Sequence, residues 1–446
     1  MPSHVQFTWF PYVGQDAVLQ DFDLLEVIFS LFEAESNSSF STWAVSPRTG
    51  HHLLSAALTC KTFFYPAMNI LWRSMDSIAP LVKVLPTLVK ILDEYTVNGA
   101  ILDSHLRRVD QYARRIRRLR LQSLHHARSP LPSFIYQVLA SLRPHGLIPT
   151  LTHLFIPSIE PNSGIDIDCL DLLALSSLKT LQIYAISPKN EDLGAQILER
   201  FSLTAPDVNE LAVSRRITHL TLDSVIKFRQ LSDLTLNIPM NRSLDGDFLR
   251  KCSAMTTLSS LTLLLAQRVK LFPQGEQSTS DVVIFPTLSR LAVVGSTPNV
   301  SGLFRRVYVP NLKKIVLEVD TRVNSAAEAV MDAQVIGEFM QDLIGMGRIQ
   351  AVSVSLIVGL NSLNTWAVFK PLVSHACGYL RSLVLLLSPS LLFPPFAEFC
   401  LTLQWPELEF LEFWCPGGFA RLHPPPKDLR KRFALVCPKL TSFNIR

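Results

Sequence analysis

The sequence has no pair of cysteines at Cys-x-x-Cys spacing. None of its seven cysteines (Cys60, Cys169, Cys252, Cys377, Cys400, Cys415, Cys437) has a histidine nearby at zinc-finger spacing. An odd, dispersed set on apolar segments argues against a disulfide framework and reads as reduced core thiols. An uninterrupted membrane-spanning run is also missing. The most apolar stretch, Leu380 to Leu403, carries Arg381, Glu398 and the helix breakers Pro389, Pro394 and Pro395. Met1 to Phe10 lacks the basic region and apolar core of a secretory signal. A soluble, intracellular protein of the cytoplasm and/or nucleus is expected.

Catalytic signatures are equally absent. The sequence holds no phosphate-binding loop, dinucleotide fingerprint, nucleophile elbow or His-Glu-x-x-His. Two adjacent histidine pairs, His51 with His52 and His125 with His126, have no ligand partner at helical spacing, and neighbouring side chains point apart. The acidic segment Asp166 to Asp171 reads as a solvated loop and helix start. No enzyme activity, cofactor or metal is expected.

What the chain does have is apolar mass. Of its 446 residues, 48% are hydrophobic, which excludes extensive disorder and requires a large continuous core. The formal net charge of +5 is local. Arg107, Arg108, Arg114, Arg115, Arg117, Arg118 and Arg120, set against Asp110, account for all of it. No aromatic stacking platform accompanies these arginines, so nucleic acid is not the expected partner. They read either as a nuclear-import or acidic-partner patch or, preferably, as a solvated helix running into a first strand, with Ile116, Leu119 and Leu121 turned inward.

From residue 116 onward one pattern recurs, with apolar residues at a first position and at three and five residues beyond it. Copies begin at Ile116, Leu151, Leu178, Leu231, Leu258, Leu288, Leu312, Ile349, Leu380, Leu408 and Leu440, mostly about 23 to 39 residues apart. In five copies a proline lies two residues ahead of the leading leucine: Pro149, Pro286, Pro310, Pro406 and Pro438. Proline suits strand entry and would damage a strand interior. Helical patterns intervene over Asp192 to Phe201, Leu244 to Met255, Ser325 to Ile344, Asn364 to Tyr379 and Lys427 to Val436. Strand and helix alternating at one period predict an α/β fold, an irregular leucine-rich-repeat solenoid of parallel strands with outer helices. Val208, Ile217 and Leu231 each open a copy within a short span, so one of the three is not a repeat strand. The asparagine ladder position of typical repeats is mostly missing. Residues alternating with the core leucines should line the other face of the sheet and nominate Tyr184, Asp223, Asn237, Glu318, Glu412 and Trp414 as substrate contacts. Leu264, Val294, Val384 and Leu386 occupy equivalent positions.

Ahead of the repeats stands a helical block too apolar for its size. In its first helix Leu25, Ile28, Phe29 and Phe32 form one stripe and Leu24, Val27 and Leu31 another, so both need cover. Asp23 is placed to cap this helix, with Glu26 completing a capping box. Glu33 to Arg48 reads as a loop. Leu53, Leu54, Ala57, Leu58 and Cys60 then resume a helical face, and Pro66 suits the first turn of a third helix ending near Trp72.

This arrangement, with Ala57, Leu58, Cys60, Lys61 and Phe63 in one stretch and Leu71, Trp72 and Arg73 at its end, resembles an F-box. The run from Met75 to Leu85 and the basic run from Tyr112 to Leu121 resemble fungal F-box proteins in particular. The family's leading Leu-Pro is replaced here by Asp21, Phe22 and Asp23. The resemblance implies a Skp-type adaptor as partner, and through it a cullin, with Leu25, Ile28, Phe29, Leu58, Cys60, Lys61 and Trp72 as adaptor-binding or F-box-forming positions. It also implies a non-catalytic substrate-recognition subunit of a Skp/cullin/F-box (SCF) ubiquitin ligase, whose repeats hold an unknown target protein. The alternative is a leucine-rich scaffold working outside any ligase. The expected organisation is an N-terminal tail (1–20), an F-box-like helical domain (21–75), linker helices (76–115) and the solenoid (116–446).

Overall fold

The computed structural model describes residues 21–34, 47–91, 94–121, 131–157, 172–186, 191–214, 219–238, 246–265, 282–320, 351–357, 380–386, 405–414 and 429–445, with a few single positions besides. Of the expected helix over Ser325 to Ile344 only Gln334 and Glu338 are described, both helical, and the expected helix over Asn364 to Tyr379 lies outside the described residues. The chain divides into two compact units, Met1–Gln182 and Ile183–Arg446.

The first unit opens with helices α1 (Phe22–Ala34), α2 (Pro47–Thr59) and α3 (Lys61–Arg73). They pack around Leu25, Phe29, Leu53, Ala57, Ala67, Met68 and Ile70. The start of α1 differs from the expected capping box. Asp21 is the cap, its Oδ1 accepting from the amides of Asp23 (3.0 Å) and Leu24 (3.1 Å). Glu26 instead accepts from the Arg73 guanidinium at 2.8 Å, tying α1 to the end of α3. The third helix also begins earlier than expected, so Pro66 lies inside it rather than in its first turn. Cys60 stands just ahead in extended conformation and separates α2 from α3. Proline forfeits one backbone bond there, and burial of Pro66, Ala67, Met68 and Ile70 offsets that loss.

The sheet starts where α3 stops, earlier than the sequence pattern suggested. Strand β1 (Ser74–Met75) follows α3 without a break. Next come a short helix α4 (Ala79–Val82), a hairpin of β2 (Leu88–Ile91) and β3 (Glu94–Val97), helix α5 (Asp103–Ala113), β4 (Arg118–Arg120), α6 (Ser133–Leu142), β5 (His153–Ile156) and β6 (Thr180–Ile183). Residues 76–115 therefore hold an antiparallel hairpin as well as helices. Strands β1, β4, β5 and β6 are sheet neighbours in that order, and β1 with β4 and β4 with β5 pair in parallel. Ile116, Leu119 and Leu121 are buried, as the sequence pattern required.

The second unit contains α7 (Glu191–Thr204), β7 (Glu210–Val213), α8 (His219–Val225), β8 (Asp233–Ile238), α9 (Gly246–Ser253), β9 (Ser260–Leu265), β10 (Val283–Ile284), β11 (Arg290–Ser296), α10 (Thr297–Phe304), β12 (Val307–Tyr308), β13 (Lys314–Asp320), β14 (Ala351–Ile357), β15 (Leu380–Leu386), β16 (Phe410–Trp414), α11 (Leu429–Val436) and β17 (Ser442–Ile445). Strands β7, β8, β9, β11, β13, β14, β15, β16 and β17 form a large parallel sheet in sequence order. Each of the eleven repeat motifs gives a strand, and matching motif positions align. Leu236 pairs with Leu263, Leu263 with Val293, Val293 with Leu317, and Leu317 with Val354.

Of the three crowded copies, the one at Ile217 is helical. A parallel crossover needs about a dozen residues or more, and strands over 211–213 and 220–222 would leave far too few between them. The segment forms α8, packed on α7.

Each strand begins four residues after its proline, as at Pro149 and His153, or Pro438 and Ser442. The proline occupies the second position of a turn closed by the leading leucine, whose amide donates three residues back (Leu151 to Ile148, Leu312 to Val309, Leu408 to Trp405, Leu440 to Cys437). Its fixed φ suits that position. Just ahead of the strand the leucine is buried at Leu151, Leu312 and Leu408 and half-buried at Leu440.

Hydroxyls fill the place of the missing asparagine ladder. The residue before the leading leucine donates to the leading carbonyl of the previous copy: Thr150 to Ile116 (2.9 Å), Ser177 to Leu151 (2.9 Å), Thr257 to Leu231 (2.8 Å) and Thr287 to Leu258 (2.8 Å). The residue after it does the same one step on, as Ser259 Oγ to the Ser232 carbonyl (3.2 Å), which also receives the amides of Ser259 and Ser260. Thr257→Val keeps the shape and removes the donor, so it should cost about 1 kcal/mol, read as a lower urea midpoint with unchanged slope.

Candidate functional site

Among the described residues of the first unit, the helical block carries the largest group of exposed apolar side chains. Burial divides α1 lengthwise. Leu25 and Phe29 face the core, with Phe29 edge-on to Phe63 at 5.7 Å between ring centres. Phe22, Leu24, Val27, Ile28, Leu31 and Phe32 are exposed, Val27 to 63% and Leu31 to 65%. On α2, Leu53 and Ala57 are buried, whereas Leu54 and Leu58 are exposed, Leu58 to 75%. Neither stripe of α1 is wholly covered among the described residues.

The positions nominated for an adaptor therefore separate by role. Leu25 and Phe29 build the block from inside. Ile28, Leu58, Cys60 and Lys61 lie on its surface. Trp72 is half-buried, its ring centre 4.6 Å from that of Tyr112 on α5. Cys60 is an exposed thiol, unlike Cys252 and Cys437, which are buried and whose thiols burial pushes up to about 12 and about 11.

Helix α5 braces this block. Arg115 reaches across to α3, donating to the Asn69 side chain and to the Tyr65 carbonyl (3.4 Å), with its guanidinium 5.6 Å from the centre of the Tyr65 ring. Asp110 holds Arg143 through two bonds of 3.2 and 2.6 Å. Arg107, Arg108, Arg114 and Arg117 are exposed.

Next to β1 sits Asp76, which the sequence reading missed because nothing in its spacing marks it. Its Oδ1 is buried without a hydrogen-bond partner, and burial pushes its carboxyl above the ordinary value, the Arg120 guanidinium pulling partly the other way. A folded-state value above the unfolded one means the native protein holds this proton more tightly. Stability linked to Asp76 is then fullest in acid and falls as pH rises through the window above the ordinary carboxylate value. Asp76→Asn should melt higher than the natural chain at pH 7, and melting curves taken down to about pH 4 should show the gap closing.

In the second unit the sheet face opposite the core brings three nominated residues into one row. Asn237 pairs with Leu264, Leu264 with Val294, Val294 with Glu318, Glu318 with Ser355, Ser355 with Val384, Val384 with Glu412, and Glu412 with Asn444. At about 4.8 Å per strand, Glu318 and Glu412 stand about 14 Å apart. Trp414 pairs with Leu386 two residues further along β16. Tyr184 is exposed just after β6. Asp223 lies off this face, on α8, where it accepts from Lys251 of α9 at 2.8 Å. The strand assumed for it is a helix.

Among the described residues no three His, Cys, Asp or Glu side chains cluster as metal ligands would. The rings of His51 and His52 stand edge-on, 6.4 Å apart between centres, and His125 and His126 lie outside the described residues. No described helix is long and apolar enough to cross a membrane. Comparison with protein-family models and with the curated proteins gave no match for this chain.

Proposed function

We propose that this chain is a substrate-recognition subunit of a Skp/cullin/F-box ubiquitin ligase of the cytoplasm and/or nucleus. It is non-catalytic: its helical block, read as an F-box, holds a Skp-type adaptor and through it a cullin. The strands beyond it, read as an irregular leucine-rich-repeat solenoid, hold a target protein. The observation that carries this reading is the split in α1, where Leu25 and Phe29 complete a small core while Val27, Leu31 and four further apolar side chains stay exposed. A monomer gains nothing from such a surface, which marks a protein interaction site. In-register parallel strands with proline-set turns support the repeat reading. The reaction requires only proximity, since tethering the target raises its effective concentration at the transferred ubiquitin.

Co-expression of the full chain with a Skp-type adaptor tests this. A stable one-to-one complex on size exclusion is expected. Separate elution at micromolar concentrations of both proteins would reject the proposal.

A further inference from the structure

Surveying the exposed surface of the first unit, we infer that the docking surface for the adaptor continues past the apolar helices onto α5, and that the partner meets it with an acidic segment. The inference rests on the reading of the helical block as an adaptor site. Its basis is a strip in which exposed arginines outnumber the acids beside them, Asp103 in the first turn of α5 being the one exposed carboxylate on that helix not held by an arginine. On α3, Lys61 and Tyr65 are exposed one turn apart, and Arg115, in the turn after α5, lies over Tyr65. Arg108 and Tyr112 share one stripe of α5, and Arg115 follows in the turn after the helix; Tyr112 and Arg115 touch α3 at Trp72 and Asn69. Arg107 on the helix and Arg114 at its C-terminal cap lie beside them, both exposed. Two of the acids nearby are already engaged, Asp110 by Arg143 and Glu26 by Arg73, which leaves Asp103 against Arg107, Arg108 and Arg114. Among the described residues no carboxylate lies within 4.0 Å of Arg107, Arg108 or Arg114.

An acidic protein surface fits this strip better than a nucleic acid. Helix α5 is 11 residues long, about 16 Å, room for only a few phosphates. Tyr65, the exposed ring beside it, already carries a guanidinium, and a single ring is no platform for successive bases. The strip meets the helical block at α3, through Trp72, Asn69 and Tyr65, so a partner that covers the block and extends past α3 would neutralise charge as well, the arrangement of an interface with an apolar centre and a charged rim. Rim charge acts mainly on association rate and is screened by salt.

The test uses the full chain and a purified Skp-type adaptor, with Arg107→Glu, Arg108→Glu and Arg114→Glu combined. All three are exposed, and Arg115, which braces α3, is left intact. The triple variant should bind about 10-fold or more weakly at low salt, chiefly through slower association, and should lose most of the natural chain's salt dependence. Binding of the natural chain with the variant equal to it in rate and salt dependence would overturn this inference and leave the adaptor reading standing. Absence of adaptor binding by the natural chain overturns both. Two other results also overturn it: a 20-bp DNA duplex bound by the natural chain but not the variant while adaptor binding is equal, or a dimer of this chain lost in the variant.

Discussion

Phe29→Ala is expected to cost about 3 to 5 kcal/mol and to unfold the helical block ahead of the rest of the chain. Phe29 fills a core of only seven buried residues, so its ring is a large share of what holds α1 down. It also leaves Phe63 without its edge-on partner. Against a typical total stability of about 5 to 15 kcal/mol, that loss is decisive for so small a cluster. Leu31→Ala, two residues further on the same helix, should change stability by no more than about 0.5 kcal/mol, because Leu31 is 65% exposed. Hydrogen exchange over residues 22–73 separates the two: amides of α1 and α3 lose protection in the first variant and keep it in the second.

Leu263→Ala should cost about 2 to 5 kcal/mol, whereas Leu264→Ala should cost less than about 1 kcal/mol. The side chains are adjacent and point to opposite faces of β9. Leu263 is fully buried in the core row between Leu236 and Val293, where a cavity is walled on both sides by neighbouring strands. Leu264 is half-buried in the row shared by Asn237 and Val294. Urea unfolding measures both. Equal costs would mean that β9 sits one residue out of the register described, since a one-residue slip exchanges the faces.

Much of the fold was legible from the residues. Apolar positions at offsets of zero, three and five recur because a buried turn residue must be followed by a strand that turns alternate side chains inward. The prolines were legible because only the entrance turn tolerates them. Legibility failed where a decision belongs to the fold as a whole. Ile217 to Leu222 satisfies the strand pattern, yet the short distance from β7 forces a helix, and Asp223 went with it off the sheet face. Asp23 and Glu26 have the spacing of a capping box, but Asp21 takes the cap and Arg73, 47 residues away, takes Glu26. The hydroxyl ladder escaped notice because serine and threonine before a leucine are common, and only the stacking of copies brings each one to the carbonyl of the last. For the docking face, the surplus of apolar residues could be read from sequence. Which of them face outward depended on how α2 and α3 cover α1.

The central claim is that the outward face of α1 binds a Skp-type adaptor, and its most direct test is the affinity of the full chain for the purified adaptor, measured with and without Val27→Asp and Leu31→Asp. Both side chains are exposed, so melting should not change. A one-to-one complex with the natural chain is expected, with affinity about 30-fold or more lower in the double variant. Equal affinity in the two proteins, with both folded, would contradict it.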